Sequence, residues 1–193
     1  MVEKEVVKDQ IVEAARQIFS RFGFRKTTMD EIARGVNKGK SSIYYYFTSK
    51  EDIYRAVIEK EAGLVQDEIV RALTNVKEPD EKLKTYIAVR MRAFGNTINF
   101  YSAIKDEFLA NLDFINKIRE RFDNEEIKMV ETILKEGVNN DKFVIDNTEL
   151  AAIALVTAIK GLEAPLMKYH KELNVEERIG HLLKILFFGV MKR

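Results

Sequence analysis

The stretch Thr27-Thr28-Met29-Asp30-Glu31-Ile32-Ala33, followed by Lys40-Ser41-Ser42-Ile43-Tyr44-Tyr45-Tyr46-Phe47, decides the reading of this 193-residue chain. Thr28 followed three residues later by Glu31 is a capping box, with Thr28 as the cap of a short helix. Ile32, Ala33 and Val36 give that helix an apolar stripe. Asn37-Lys38-Gly39 breaks it, since Asn37 and Gly39 both tolerate positive φ. A third helix of about two turns then runs from Lys40 to Phe47. Two short helices joined by a tight turn, over about residues 29–48, are helix-turn-helix geometry. Ile43 and Phe47, four apart, face inward, which leaves Lys40, Ser41, Ser42, Tyr44 and Tyr45 outside. Hydroxyls and a cation at a helix end suit a nucleic-acid groove, where they meet phosphates and base edges. Tyr46 is expected to pack on the next helix.

Reading outward, Val7, Ile11, Ala14, Ala15, Ile18 and Phe22 recur at three- and four-residue steps and predict a first helix. Gly23 is expected as its left-handed cap, with Phe24 folding back on Phe19. Downstream, Ser49-Lys50-Glu51-Asp52 opens a fourth helix over 50–74, carrying Ile53, Val57, Leu64, Ile69 and Ala72 near one face. Residues 16–50 hold eight basic side chains against two acidic ones, a net of +6 in a chain whose total is +1. A basic head on a mildly acidic remainder is either a solvated face or a nucleic-acid footprint.

These segments, with Phe19-Ser20-Arg21-Phe22-Gly23-Phe24 before them and Thr48-Ser49-Lys50-Glu51 after, resemble the TetR family of transcriptional regulators over roughly the first third of the chain. The resemblance implies nine helices, a homodimer, double-stranded operator DNA as partner, and a small-molecule inducer held in the C-terminal domain. It implies that Ser41 and Ser42 approach bases or phosphates, and that Tyr44 and Tyr45 bond phosphates and pack on sugars or thymine methyls. Thr28, Lys40 and Lys50 would meet phosphates, Lys50 near a helix N-terminus. Three positions depart from the family pattern. Asn37 stands where Gly is usual, Lys38 where an apolar residue is usual, and Ser41 replaces a frequent Gly. The operator sequence therefore does not transfer.

The remainder reads as helical, so the chain is all-α, and the resemblance implies a DNA-binding head over 1–50 and a ligand-binding and dimerisation bundle over 51–193. Pro79-Asp80-Glu81 opens a helix with Leu83, Ile87, Met91, Phe94 and Ile98 on one stripe. A short helix over Ser102–Ala110 is expected next. A longer one follows with Ile115, Ile118, Phe122, Met129, Ile133 and Leu134, ending near Gly137. Asp146 with Glu149 predicts the cap of the next helix, which Pro165 ends or kinks. Asn174 with Glu177 caps the last, which carries Ile179, Leu182, Leu183, Leu186 and Phe187.

Ala154, Ala158 and Gly161, in step with Ala151, permit close helix approach. With Leu183 and Phe187 they form the expected dimer interface, a pairing that the resemblance implies. Met91, Phe94, Phe100, Tyr101, Phe108 and Met129 are candidate lining for an apolar or amphipathic inducer, against the alternative of plain core.

Catalysis finds little support. The chain has no cysteine and two histidines. Glu177 and His181, four apart, are a metal pair on paper and a surface contact more simply. No cofactor is expected, and no Gly-rich phosphate loop or nucleophile elbow occurs. The charged N-terminus has no signal-peptide core, and the apolar run Ile185–Met191 is far short of the ~20 residues a membrane span needs. Cytoplasmic residence follows as the expectation. The competing reading is a helical ligand-binding or interaction protein without specific DNA binding.

Overall fold

A computed structural model describes residues 2–93, 99, 113–168 and 175–188. Among the described residues there are eight helices and no strand: α1 Val2–Phe22, α2 Met29–Gly35, α3 Lys40–Tyr46, α4 Lys50–Leu73, α5 Pro79–Ala93, α6 Asp113–Asn139, α7 Thr148–Lys168 and α8 Val175–Phe188. The chain forms two compact units, one of residues 1–64 and 97–119, the other of 65–96 and 120–193. Helix α4 supplies Lys50–Leu64 to the first and Val65–Leu73 to the second.

In the first unit, Ile11, Ala15 and Phe19 of α1, Ile32 of α2, Ile43 of α3 and Ile53, Tyr54, Val57 and Ile58 of α4 are buried together. The Phe19, Phe24 and Tyr54 rings form its aromatic centre, Phe19 edge-on to Tyr54 at 5.0 Å and Phe24 tilted at 4.8 Å. Gly23 takes φ +79°, so α1 ends in the left-handed turn its sequence predicts, and Phe24 returns onto Phe19 at 5.9 Å. The α1 face differs from the expected one by a rotation. Phe19 is buried while Phe22 is exposed, because the inward line follows Ile11, Ala15 and Phe19 at four-residue steps. Leu64, expected on the apolar face of α4, is exposed, while Glu61 and Ala62 are buried.

In the second unit, Ile69 of α4, Leu83, Tyr86, Ile87 and Met91 of α5, Val130, Ile133 and Leu134 of α6, and Ala152, Val156 and Ile159 of α7 make one core. Helix α6 runs to Asn139, two residues past the glycine expected to end it, and turns at Asp141 with φ +54°. The ring of Phe143 lies where a side chain on Gly137 would begin: a Cβ there would sit 2.0 Å from the ring. Glycine at 137 is what admits that ring.

The α7 cap is Asn147, not Asp146: its Oδ1 accepts from the Leu150 N–H at 2.9 Å. Helix α7 continues past Pro165 to Lys168. Proline there removes the donor to the Gly161 carbonyl, and Gly161 is exposed, so water can take that bond. The expected helix over Ser102–Ala110 and the cap residue Asn174 lie outside the described residues.

Candidate nucleic-acid interface

The head is held by local chemistry its sequence dictates. Thr28 caps α2 with φ −113° and ψ 159°. Its hydroxyl oxygen accepts from the Glu31 N–H at 3.3 Å, and its own N–H donates to Glu31 Oε2 at 2.7 Å. The Thr28 N–H, and after it the Thr28 hydroxyl, which donates to Glu31 Oε2 at 2.9 Å, hold the Glu31 carboxyl below its ordinary range. Asn37 takes φ +53°, so it supplies the left-handed residue between α2 and α3 that glycine otherwise would. Gly39 has φ −71° and opens α3 as its cap residue.

Ile43 of α3 is wholly buried and Phe47 nearly so. The opposite face is open, with Tyr44 47% and Tyr45 68% exposed. Lys40 and Ser41 are also exposed, and Ser42 is half-buried. The Tyr45 ring stands edge-on to Tyr46 at 5.0 Å, and the Lys4 ammonium lies 4.8 Å from its centroid. Tyr46 is half-buried. The structure thus brings Thr28, Lys40, Ser41, Ser42, Tyr44 and Tyr45 onto α2 and α3 of one small unit. Lys4 is a cation beside this surface that sequence reasoning missed, because it sits far upstream in α1.

Two of the lysines already have partners. Lys40 Nζ donates to Asp30 Oδ2 at 2.8 Å, with both groups about half exposed. That hydrogen bond raises the Lys40 pKa, so the ammonium stays charged. Exposed pairs of this kind are worth little and exchange readily for another anion. Lys50 differs: its ammonium donates to the carbonyls of Phe24 at 2.8 Å and Thr27 at 2.9 Å and lies 4.4 Å over the Phe24 ring. Its first role is to tie the start of α4 to the turn ahead of α2. One N–H remains from the three an ammonium carries.

Behind the head, Asn99 Nδ2 donates to the Arg16 carbonyl at 3.0 Å and to Glu61 Oε1 at 2.7 Å, and the Tyr54 hydroxyl donates to the Asn99 carbonyl at 3.1 Å. Glu61 and Asn99 are buried. No short-range sequence signal could have found this cluster, which joins residues 38 to 83 positions apart.

In the second unit, Met91 is core and Met129 packs partly buried against it, while Phe94, Phe100, Tyr101 and Phe108 lie outside the described residues. A cavity of about 480 Å³ opens elsewhere in the unit, between α5, the end of α6, the 142–145 connector, α7 and α8. Glu126 is a nearly buried carboxylate. Burial would raise its pKa, yet Arg90, Lys160 and the Tyr86 hydroxyl outweigh that and hold it below the ordinary range. Arg90 Nε and the Tyr86 hydroxyl each donate to Glu126 Oε1 at 2.7 Å.

Ala154, Ala158 and Gly161 are exposed on α7, beside exposed Leu150 and Ile153, whereas Leu183 and Phe187 of α8 are half-buried against the core of their own unit. His181 Nδ1 lies 2.9 Å from the Glu177 carbonyl, a contact along its own helix. No metal-binding group of three or more acidic or histidine side chains occurs among the described residues, and no helix among them is long and apolar enough to cross a membrane.

Two family models match the chain. Bacterial regulatory proteins, tetR family, covers residues 11–57, and QacR-like protein, C-terminal region, covers residues 74–190. The HTH-type transcriptional regulator QacR of Staphylococcus aureus is 25% identical over 179 residues, 90% of each chain. The biofilm operon icaADBC HTH-type negative transcriptional regulator IcaR of Staphylococcus epidermidis is 43% identical over 53 residues, 28% of this chain and 29% of IcaR. The solved structure of a TetR/AcrR-family transcriptional regulator from Thermobifida fusca superposes with a TM-score of 0.79 at 21% identity, covering 96% of this chain and 98% of that one.

Proposed function

The chain belongs to the TetR family and is a DNA-binding transcriptional regulator; we propose that it is a homodimeric repressor released from a two-half-site operator by a small ligand. The observation that carries this reading is the open face of α3. Tyr44, Tyr45, Ser41 and Lys40 are exposed, with Ser42 half-buried, on a helix whose other side is sealed by Ile43 and Phe47. In this reading residues 1–50 bind DNA and 51–193 bind ligand and dimerise. Lys40, Ser41, Ser42, Tyr44 and Tyr45 enter the major groove or meet its phosphates. Thr28 and the remaining N–H of Lys50 meet phosphates at the edge.

The dimer face proposed is the outer side of α7, with Leu150, Ile153, Ala154, Ala158 and Gly161 at helical spacing, together with exposed Ile185 of α8. A row of small and aliphatic residues left exposed in a single subunit suits close helix pairing. The protein acts by binding rather than catalysis, in the cytoplasm where its DNA lies. Inducer and operator occupy distinct sites, so each weakens the other by the same factor. An electrophoretic shift with DNA from upstream of its own locus tests the reading. A retarded, sequence-dependent complex supports it; none with any upstream duplex favours a ligand-binding protein that does not read DNA.

A further inference from the structure

We propose that the cavity at the connector end of the second unit binds a single-chain amphipathic anion, with the Lys142 ammonium as its counter-charge. This site is separate from the lining expected around Met91 and Met129, neither of which borders it. Its walls are Leu83, Ile87, Leu134, Ile145, Leu155 and Phe187, all apolar, with Phe143 and Ala151 completing them. Its volume of about 480 Å³ lies in the range of small-molecule sites. Among the described lining residues Lys142 alone carries a polar side chain. A ligand matching these side chains has an apolar body and one anionic end, and the rest of the polar surface in the lining belongs to backbone atoms.

The cavity is kept open by construction. The connector between α6 and α7 is apolar where loops are ordinarily polar, with Phe143, Val144 and Ile145 in succession. Its first ring is fixed on Gly137, so the loop cannot settle further inward at that point. Ala151 is the smallest of the lining side chains. An alkyl chain laid along the apolar walls makes dispersion contacts there that solvent does not.

The charge at the mouth is available. Lys142 is half exposed, and its pair with Glu78 is long, 3.5 Å, and exposed on both sides. Such a pair is screened and weak, so a ligand carboxylate can take the ammonium from Glu78. Lys84, 5.5 Å from the Phe187 ring, is engaged by Glu81 at 2.6 Å and Asp80 at 3.5 Å, and Lys82 is paired with Glu136. Lys142 is therefore the cation whose partner is most easily displaced. The site does not depend on operator binding.

The chain has no cysteine, so Val144→Cys on the exposed rim accepts one environment-sensitive fluorophore. The labelled full-length protein is titrated with dodecanoate, dodecanol and dodecyltrimethylammonium, each below its micelle concentration, and stoichiometry is read by calorimetry on the unlabelled protein. The expected result is saturable binding of one dodecanoate per chain with a change in emission. Dodecanol and the cation should bind about tenfold more weakly, and Lys142→Glu should weaken dodecanoate by about tenfold with unchanged thermal melting. Ala151→Phe, which takes up part of the space, should weaken dodecanoate binding; if that variant misfolds, Lys142→Glu still decides. The proposal is overturned by no saturable dodecanoate binding, by equal affinity for all three amphiphiles, or by Lys142→Glu binding as the parent does. Operator affinity of the unliganded protein is measured separately, so failure here leaves the regulatory reading standing, and the reverse.

Discussion

The Lys50 ammonium donates to the Thr27 carbonyl at 2.9 Å, across 23 residues of sequence. With its second bond, to the Phe24 carbonyl, it closes the turn that places the α2 cap. A cation at a helix N-terminus is unfavourable toward the helix dipole, and the two carbonyls offset that cost. Hydrogen bonds from charged groups are worth about 1.5–3 kcal/mol. Lys50→Ala should therefore lower unfolding stability by roughly that much, as read from denaturant titration. A variant with parental stability would leave Lys50 with a surface role only.

Assembly is tested at Gly161. Nothing in the subunit lies within 4 Å of a side chain added there. Gly161→Leu should therefore fold with full helicity while holding paired helices apart. Sedimentation velocity should show monomer at concentrations where the parent is dimeric. A dimer of parental affinity would move the interface away from the outer face of α7.

Glu126 makes stability depend on pH. Its folded pKa is depressed, so its contribution is present above the ordinary glutamate value of about 4.3 and is lost as pH falls through the lower folded value. Glu126→Gln should be less stable at neutral pH by about 3 kcal/mol, because the buried Arg90 guanidinium then loses the carboxylate it donates to, while Lys160 keeps Asp123. It should lose less on acidification, so the two curves converge below pH ~4. Parallel curves would show that the pair is not coupled to folding.

The Asn99 cluster is a stability element of the first unit. Asn99→Leu keeps the branched shape of the side chain but removes the donor to Glu61 and to the Arg16 carbonyl. A loss of about 1–3 kcal/mol is expected for groups left buried and short of a partner. Urea unfolding curves that superimpose on the parent would show that water replaces Asn99 at no cost.

What the sequence made legible was local. The Thr28–Glu31 capping box, the left-handed Asn37 and Gly23, and the inward pair Ile43 and Phe47 each depend on residues within a turn or two, and each is present. Where two faces competed, periodicity could not choose: Phe19 and Phe22 both fit the α1 pattern, and only the aromatic contact with Tyr54 separates them. Asn147 outcompeted Asp146 as the α7 cap by one residue, a margin set by backbone geometry. The second task of Lys50, the Asn99 cluster and the cavity lined by Phe143 arise from tertiary contact and leave no periodic trace.

The central claim is that the open face of α3 reads DNA. It is tested most directly by fluorescence anisotropy of the full-length protein on duplex from upstream of its own gene, across a salt series. Lys40→Ala, Tyr44→Phe and Tyr45→Phe are compared with the parent, with thermal melting as the folding control. The account predicts saturable, salt-sensitive binding that all three variants weaken at unchanged melting. For Lys40→Ala the slope of log affinity against log salt should be shallower by about 1.8 per dimer, since each phosphate contact contributes about 0.9. Parental affinity and slope in all three variants would contradict it.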